Sequence, residues 1–150
     1  MKDSFNIKGR VKIEVFNSDG VKQEERIFDN LVTTAGKNFI ARKLVDQVDS
    51  EQIFSVGIGS GSTAANVADT ELETELANVE NAYNLYDEDS GNKTLHLARF
   101  NAGVGTGTIR EVGLFTNANP QTLVCRALVG TPIVKAVDQL INISWELTVG

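Results

Sequence analysis

The carboxyl-terminal part of the sequence alternates apolar and polar residues without interruption. Its apolar members are Ile141, Ile143, Trp145, Leu147 and Val149, and one polar residue separates each from the next. Because side chains of a β-strand point alternately to opposite faces, this spacing predicts a strand with one buried face and one exposed face. Such a strand needs a second layer of structure to cover its apolar side.

The amino-terminal part predicts a β-hairpin. Val11, Ile13 and Val15 alternate with charged residues and are expected on a buried strand face. Residues 17–20 (NSDG) supply a turn, because Asp-Gly favours the positive φ values of a tight hairpin, and residues 21–28 are expected to return beside the first strand.

Five further segments are predicted as strands. Residues 79–86 and 93–100 are expected to form a second hairpin, because residues 87–92 (DEDSGN) are typical of a turn. The remaining predicted strands are residues 53–58, 109–115 and 122–129. Together with the segments above and residues 140–149, this gives about eight strands.

A change of period after residue 32 predicts a helix. Thr33 or Thr34 is a suitable N-cap, and the apolar residues that follow recur at helical spacing: Ala35, Phe39, Ile40, Leu44 and Val48. The charged residues fall off this stripe, so the helix is amphipathic and is expected to lie against a sheet. Residues 66–76 predict a second, short acidic helix, capped by Asp69 or Thr70, with Leu72 and Leu76 as its apolar contacts.

Many strands, one dependable helix and no regular strand–helix alternation predict a mainly β protein. We expect one domain over residues 1–150, an antiparallel β-sandwich or jelly-roll-like domain with one amphipathic α-helix packed on it.

Composition excludes several classes of partner. The formal net charge of −6 repels the phosphates of nucleic acid, so no nucleic-acid partner is expected. No apolar run approaches the roughly 18 residues of a membrane span, and the first residues do not resemble a signal peptide, so synthesis in the cytoplasm and no membrane partner are expected. One Cys and one His cannot supply the four protein ligands of a structural zinc site.

Two glycine-rich stretches invite a phosphate-binding interpretation. Residues 57–63 and 103–109 both have the spacing G-x-G-x-G, whereas a dinucleotide fingerprint needs G-x-G-x-x-G and a P-loop needs a following Lys. The two stretches therefore predict structural loops and no cofactor site.

No catalytic or metal site is predicted. His96 and Cys125 form the best nucleophile–base pair by residue type, but both fall in predicted strands among apolar residues, where a thiol stays protonated. The acidic group at 87–89 departs from the calcium-loop pattern at Gly91 and Ala98, so a solvated hairpin tip is expected.

Two polar strand faces are either solvated or form the polar rim of a protein contact, and the sequence leaves both alternatives open. One lies on the last strand, at Asn142, Ser144, Glu146 and Thr148. The other lies on the first hairpin and carries mixed charge, at Lys8, Arg10, Lys12, Glu14, Lys22, Glu24, Glu25 and Arg26.

The order of several motifs resembles a family of small virion proteins of tailed bacteriophages, described as capsid decoration, head-fibre or tail-fibre-associated proteins. The motifs are residues 30–41 (NLVTTAGKNFIA), 56–63 (VGIGSGST), 69–76 (DTELETEL), 100–115 (FNAGVGTGTIREVGLF) and the ending 141–149 (INISWELTV). The resemblance implies a multicopy structural protein without enzymatic activity that is located in the virion. It also implies the major capsid protein or other virion proteins as partners, and a homo-oligomer.

Within that family, a short chain without a trimerising shaft favours a capsid decoration protein that binds the assembled shell. The first alternative is a tail, baseplate or fibre-adaptor component for host attachment, with Tyr83, Tyr86 and Trp145 as the aromatic candidates for glycan contacts, although alternation with Ile143 and Leu147 predicts Trp145 in the core. The second is a polysaccharide hydrolase, for which no carboxylate pair stands out. Since loops on a rigid scaffold carry much recognition, the predicted contact residues are Gly57, Gly59, Gly61, Asp87, Asp89, Gly103, Gly105 and Gly107.

Overall fold

The protein is a β-sandwich of two antiparallel five-stranded sheets with one helix, in a computed structural model that describes residues 6–45 and 50–150. The predicted fold class is thus confirmed. The described elements are β1 (Ile7–Phe16), β2 (Lys22–Asp29), β3 (Leu31–Val32), α1 (Thr34–Leu44), β4 (Ile53–Gly59), β5 (Glu75–Glu80), β6 (Tyr83–Asp87), β7 (Lys93–Phe100), β8 (Gly107–Thr116), β9 (Leu123–Lys135) and β10 (Leu140–Val149).

The described strands form two separate sheets. Sheet I has the order β2-β1-β10-β7-β6, and sheet II has the order β3-β9-β8-β4-β5. The last strand, predicted most clearly by alternation, lies in the middle of sheet I and pairs with β1 and β7. Its apolar residues Ile141, Ile143 and Trp145 are fully buried between the sheets.

The first hairpin is confirmed. Val11, Ile13 and Val15 are at most 3% exposed, and β1 pairs with β2 in an antiparallel ladder. In the turn, the Asn17 side-chain oxygen accepts hydrogen bonds from the backbone N–H groups of Asp19 and Val21 at 3.0 and 2.9 Å. Local side-chain bonds therefore hold the reversal that the sequence predicts.

The predicted amphipathic helix is also confirmed, with Thr33 as its N-cap. The Thr33 hydroxyl accepts a hydrogen bond from the Gly36 N–H at 2.9 Å, and Phe39 is buried. The helix packs against β9 so closely that a Cβ on Gly36 would lie 2.4 Å from the Val124 carbonyl oxygen. Leu44, predicted on the buried stripe, is 77% exposed, and Val48 lies outside the described residues. Among the described residues, no helix has the length and apolarity to span a membrane.

The predicted acidic helix over residues 66–76 is wrong. Residues 60–74 form an irregular segment, and β5 begins at Glu75. The reason is a competing set of bonds, because the N–H groups of Glu73 and Thr74 donate to the buried carboxylate of Glu111 instead of to helix carbonyls.

The single strand predicted over residues 79–86 is also wrong, because the chain changes sheets within it. The Asn81 N–H donates to the Phe54 carbonyl at 2.8 Å, and the next N–H, of Ala82, donates to the Leu97 carbonyl at 2.7 Å. The first bond belongs to sheet II and the second to sheet I, so the segment is divided into β5 and β6. The predicted hairpin across residues 87–92 is formed by β6 and β7.

Candidate functional site

The outward side of sheet I is the largest candidate surface, and we call it the open face. The alternation of each strand and the pairing register define it. It includes Lys8, Arg10, Lys12, Glu14, Phe16, Lys22, Glu25, Ile27, Asp29, Tyr83, Leu85, Asp87, Lys93, Leu95, Leu97, Arg99, Leu140, Asn142, Ser144, Glu146 and Thr148. All of these side chains are exposed or half-buried, as expected for a face that the helix does not reach.

An apolar stripe lies along one margin of the open face. Tyr83 pairs with Leu97, and Leu85 pairs with Leu95, so the four side chains are neighbours on the same side of the sheet. Tyr83 and Leu85 are 43% and 51% exposed, and the two leucines of β7 are half-buried. Four adjacent apolar side chains in contact with water are typical of a binding surface.

Ion pairs occupy the middle and the opposite margin of the open face. Lys22 contacts Glu25 at 2.7 Å and Glu14 at 3.3 Å, and Lys93 contacts Glu146 at 3.3 Å. The hydrogen bonds to Glu25 and Glu14 raise the pKa of Lys22, so its amine is charged at neutral pH. Since the pairs are exposed, each contributes little to folding, and their charges are available to a partner.

A shallow hollow crosses the centre of the open face. It has a volume of about 370 Å³, and Ile27 of β2 and Tyr83 of β6 form its opposite walls. The floor includes Ser144, the short side chain in the middle of the sheet. The hollow is open to solvent and joins the apolar stripe to the charged region.

Two charges predicted on this face point elsewhere. Glu24 and Arg26 pair with the inward residues Val15 and Ile13, so they point away from the open face. Arg26 donates hydrogen bonds to the carbonyl oxygens of Val129 and Thr131 on β9. It therefore joins the two sheets along this side of the sandwich.

The outward side of sheet II differs, because residues 60–74 lie across it. We call this segment the cover and the surface beneath it the covered face. Leu72 of the cover forms a small buried cluster with Phe115 and Leu123 of the sheet. The cover gains an apolar anchor that does not depend on regular secondary structure.

A buried charge network provides the second anchor of the cover. The Glu111 carboxylate is fully buried and accepts hydrogen bonds from the backbone N–H groups of Gly61, Glu73 and Thr74 at 3.1, 3.0 and 2.8 Å. Arg126, 2% exposed, contacts Glu111 and Asp69 at 2.9 Å each. Every charge in the network has a partner, as burial requires.

The first glycine stretch runs from the end of β4 into the cover. Gly57, Gly59 and Gly61 are buried, so their predicted place in an outward contact loop is wrong. A Cβ on Gly59 or Gly61 would lie 2.5 or 2.6 Å from a carboxylate oxygen of Glu111. These glycines allow the backbone to approach the buried charge, which is the close approach that such residues often mark.

The other predicted contact residues lie in two separate turns. Asp89 is exposed and Asp87 is half-buried at the tip of the β6–β7 hairpin. Gly103 is exposed, Gly105 is half-buried, and the half-buried Gly107 is the first residue of β8. Whether either turn contacts a partner remains a prediction.

The acidic turn uses its oxygen atoms internally. One carboxylate oxygen of Asp87 accepts hydrogen bonds from the N–H groups of Asp89 and Ser90, and the other accepts from the Ser90 hydroxyl at 2.8 Å. The bond from the Ser90 side chain is the main reason that the pKa of Asp87 is lowered. Among the described residues, no group of three or more His, Cys, Asp and Glu side chains is arranged to hold a metal ion.

His96 and Cys125 lie on different sheets and have separate partners. The two ring nitrogens of His96 lie 2.6 Å from the Asn84 side-chain oxygen and 2.9 Å from the Thr94 hydroxyl. Burial lowers the pKa of His96 to about 4 and raises the pKa of Cys125 to about 12. The thiol of Cys125 is therefore protonated at neutral pH, whereas a cysteine nucleophile reacts as the thiolate.

No protein-family model, no curated protein and no solved structure matches the chain. The resemblance to phage virion proteins therefore remains a prediction.

Proposed function

We propose that the chain is a non-enzymatic structural protein of a tailed-phage virion, and that it acts as a capsid decoration protein bound to the assembled shell. The proposal combines the motif order over residues 30–115 with the open face. The observation that carries it is the contrast between the two outward surfaces, because among residues 6–45 and 50–150 a segment of the chain covers the outward side of sheet II and none covers that of sheet I.

The open face has the make-up of a protein interface. Its apolar stripe contains an exposed tyrosine and three leucines, and ion pairs lie on the rest of the face beside it. Aromatic and aliphatic side chains beside a polar rim are characteristic of such interfaces. The shallow hollow suits a protein surface better than a small substrate, which normally binds in a deeper pocket.

The ionisable groups buried in the sandwich support binding over catalysis. Glu111 and Arg126 hold the cover, and His96 is engaged at both ring nitrogens. A catalytic acid or base needs access to a substrate, whereas these groups bond to the protein itself.

Binding to the assembled shell alone is sufficient for a stabilising role. A ligand that binds only one state stabilises it by RT ln(1 + [L]/Kd), about 2.7 kcal/mol per site at a hundredfold excess over Kd. Many copies on a lattice multiply this contribution. The open face faces the shell in this arrangement, and the covered face is directed outward.

A role at the tail or baseplate is the second candidate. Tyr83 and Tyr86 are 43% and 61% exposed on the same edge strand, and exposed aromatic side chains are typical of surfaces that bind sugars. Trp145, the third candidate glycan contact, is fully buried and is removed from this set.

Co-sedimentation with purified phage shells and with purified tails tests the proposal. The wild-type protein is expected to bind expanded shells, and Ser144→Arg is expected to bind much more weakly, because it places a long charged side chain in the hollow. Ala64→Arg on the cover is the matched control and is expected to bind normally. Binding to tails alone would transfer the role to the second candidate, and binding to neither would overturn both.

A further inference from the structure

The edge strands of the sandwich are protected to different degrees. In sheet II, β3 has two residues, and the cover continues directly into β5, with the Ser60 N–H bonded to the Thr74 carbonyl. In sheet I, β2 carries five charged residues in eight and has a bulge opposite Val15. Short length, charge and bulges are the means by which proteins prevent other chains from pairing with a sheet edge.

The remaining edge strand, β6, is less protected, because its one charged residue, Asp87, lies at its end and it has no bulge. It has five residues (YNLYD) with no Lys, no Pro and no register shift against β7. Among the described residues β7 is its one strand neighbour, so the other side of its backbone has no ladder partner. A regular strand edge with little protection is a template for an added strand.

The side chains beside this edge are suited to receive apolar groups. Tyr83 and Leu85 alternate on the open face, next to Leu97 and Leu95. On the other side of the same strand, Tyr86 is 61% exposed. A strand added to β6 would place every second side chain against the apolar stripe, which predicts apolar residues at positions i and i+2 of the partner.

The charge around the edge indicates the ends of the added strand. Exposed Glu80 precedes β6, Asp87 is its last residue, and exposed Glu88 and Asp89 follow it. The nearby cation Lys93 is already paired with Glu146. Carboxylates at both ends of an apolar strand complement a segment whose apolar centre is flanked by Lys or Arg.

The same charges disfavour a second copy of this chain as the occupant. An antiparallel pairing of two β6 strands directs the acidic turn of each copy toward Glu80 of the other. Each copy also carries a formal net charge of −6, so the copies repel one another.

From these observations we propose that β6 binds an extended segment of a partner protein as a sixth strand of sheet I. The segment has two apolar side chains at i and i+2 and basic residues at both ends. This inference deepens the proposed function, and it rests on that function only in taking a protein as the partner.

A direct test uses the purified protein and a capped, fluorescent peptide of sequence KKTITVTKK. Binding by fluorescence anisotropy is expected to be saturable and to weaken with salt. The charge-reversed peptide EETITVTEE and the strand-breaking peptide KKTIPVTKK are expected to bind at least about tenfold more weakly. Equal binding of all three peptides would overturn the proposal.

Two matched variants locate the binding edge. Leu85 and Ile27 are 51% and 52% exposed on the open face, but they lie on opposite edge strands. Leu85→Lys is expected to weaken binding of KKTITVTKK about tenfold or more, whereas Ile27→Lys, with the same change of charge, is expected to leave it nearly unchanged. Equal loss in both variants would assign the effect to net charge and overturn the edge assignment.

Backbone measurements separate strand addition from general adhesion. In isotope-labelled protein, the peptide is expected to slow hydrogen exchange of amides within residues 83–87 and to leave β2 amides unchanged. The alternative is that two copies of the chain pair through β6. Slow exchange of these amides without peptide, and a dimer in sedimentation, would indicate such pairing. If Leu85→Lys also abolished the dimer, the proposed occupant would be overturned.

Failure of this inference is distinguishable from failure of the proposed function. If Leu85→Lys still binds shells normally while Ser144→Arg does not, the open face functions without strand addition, and only the inference is wrong. If the wild-type protein binds neither shells nor tails but binds the peptide at β6, the virion function is wrong and the edge site stands.

Discussion

The two outward surfaces of the sandwich use charged residues in opposite ways. On the covered face, Glu111 and Arg126 are removed from water, and their bonds hold the cover in place. On the open face, pairs such as Lys93 and Glu146 remain solvated and are held only by each other. The first arrangement stabilises the fold, and the second leaves a surface for a partner.

The comparison also shows why one surface needs no partner. The cover contributes Leu72 to an apolar cluster and its N–H groups to a buried carboxylate, so the chain itself covers that side of sheet II. In the part of the chain that the structure describes, no such segment lies over Tyr83 and Leu85 of sheet I, which are in contact with water. Apolar area that a chain does not cover itself is available to another molecule.

The largest effect is expected from Arg126→Met, which leaves the buried Glu111 carboxylate without its cation. Removing one partner of a buried ion pair costs about 3–5 kcal/mol of stability, and urea unfolding measures this loss. Lys93→Met on the open face is the control, with an expected cost below about 1 kcal/mol because its pair is exposed. Equal costs would contradict the distinction between the two faces.

A smaller difference is expected between two leucine truncations. Leu72 of the cover is 5% exposed, and Leu85 of β6 is 51% exposed. Leu72→Ala is expected to cost about 2–4 kcal/mol through lost burial and a cavity, and Leu85→Ala less than about 1 kcal/mol. Urea midpoints at unchanged slope give both values, and a larger cost at Leu85 would show that the open face is packed.

The next prediction concerns the pH dependence of stability. It depends on His96, whose side chain lies on the inner side of sheet I. Burial lowers its pKa from 6.5 to about 4, so on acidification the unfolded chain binds a proton before the folded protein does. Stability is therefore lost as the pH falls from about 6.5 to about 4, by about 2–3 kcal/mol from this group.

Unfolding of wild type and His96→Gln at about pH 7 and about pH 4.5 measures this contribution. Carboxylates titrate in both proteins, so the difference between the two pH dependences isolates the histidine. The variant is expected to lose less stability on acidification. Identical pH dependences would show that the ring is protonated equally in the folded and unfolded states.

The smallest effect on stability is expected from charge introduced at the two margins of the open face. Leu85→Lys and Ile27→Lys are each expected to change the free energy of unfolding by no more than about 0.5 kcal/mol, because both side chains are half-exposed. A loss above about 2 kcal/mol at either position would mean that the margin is part of the folded core. Circular dichroism with urea titration gives the values.

Local pattern predicted much of the fold but only part of the candidate site. The outward position of Lys12 and Glu14 was predictable, because these residues alternate with Val11 and Ile13. The apolar stripe did not, because Leu95 and Leu97 flank His96 in a segment that is apolar on both sides, so alternation could not tell inside from outside. Only the pairing of β7 with β6 and β10 showed that Leu95 and Leu97 both face water.

The cover was mispredicted for a related reason. Its acidic residues and spaced leucines match a short helix, and helix propensity is a weak prior that tertiary bonds override. A buried charge in β8 supplied those bonds, and nothing within residues 60–74 indicates where that charge lies. The available signal of a buried charge was Glu111, a charged residue in a predicted strand that is largely apolar. Sequence alone did not assign it a partner.

By itself the sequence determined the antiparallel β class, the last strand with its one buried face, both hairpin turns and the amphipathic helix, because each depends on side-chain period or turn chemistry within a few residues. The tertiary structure decided the rest: the change of sheet at Asn81, the cover held by Glu111, and the apolar stripe left in water. These features arise where residues distant in the chain compete for the same hydrogen bonds and the same buried area, and no local period records that competition.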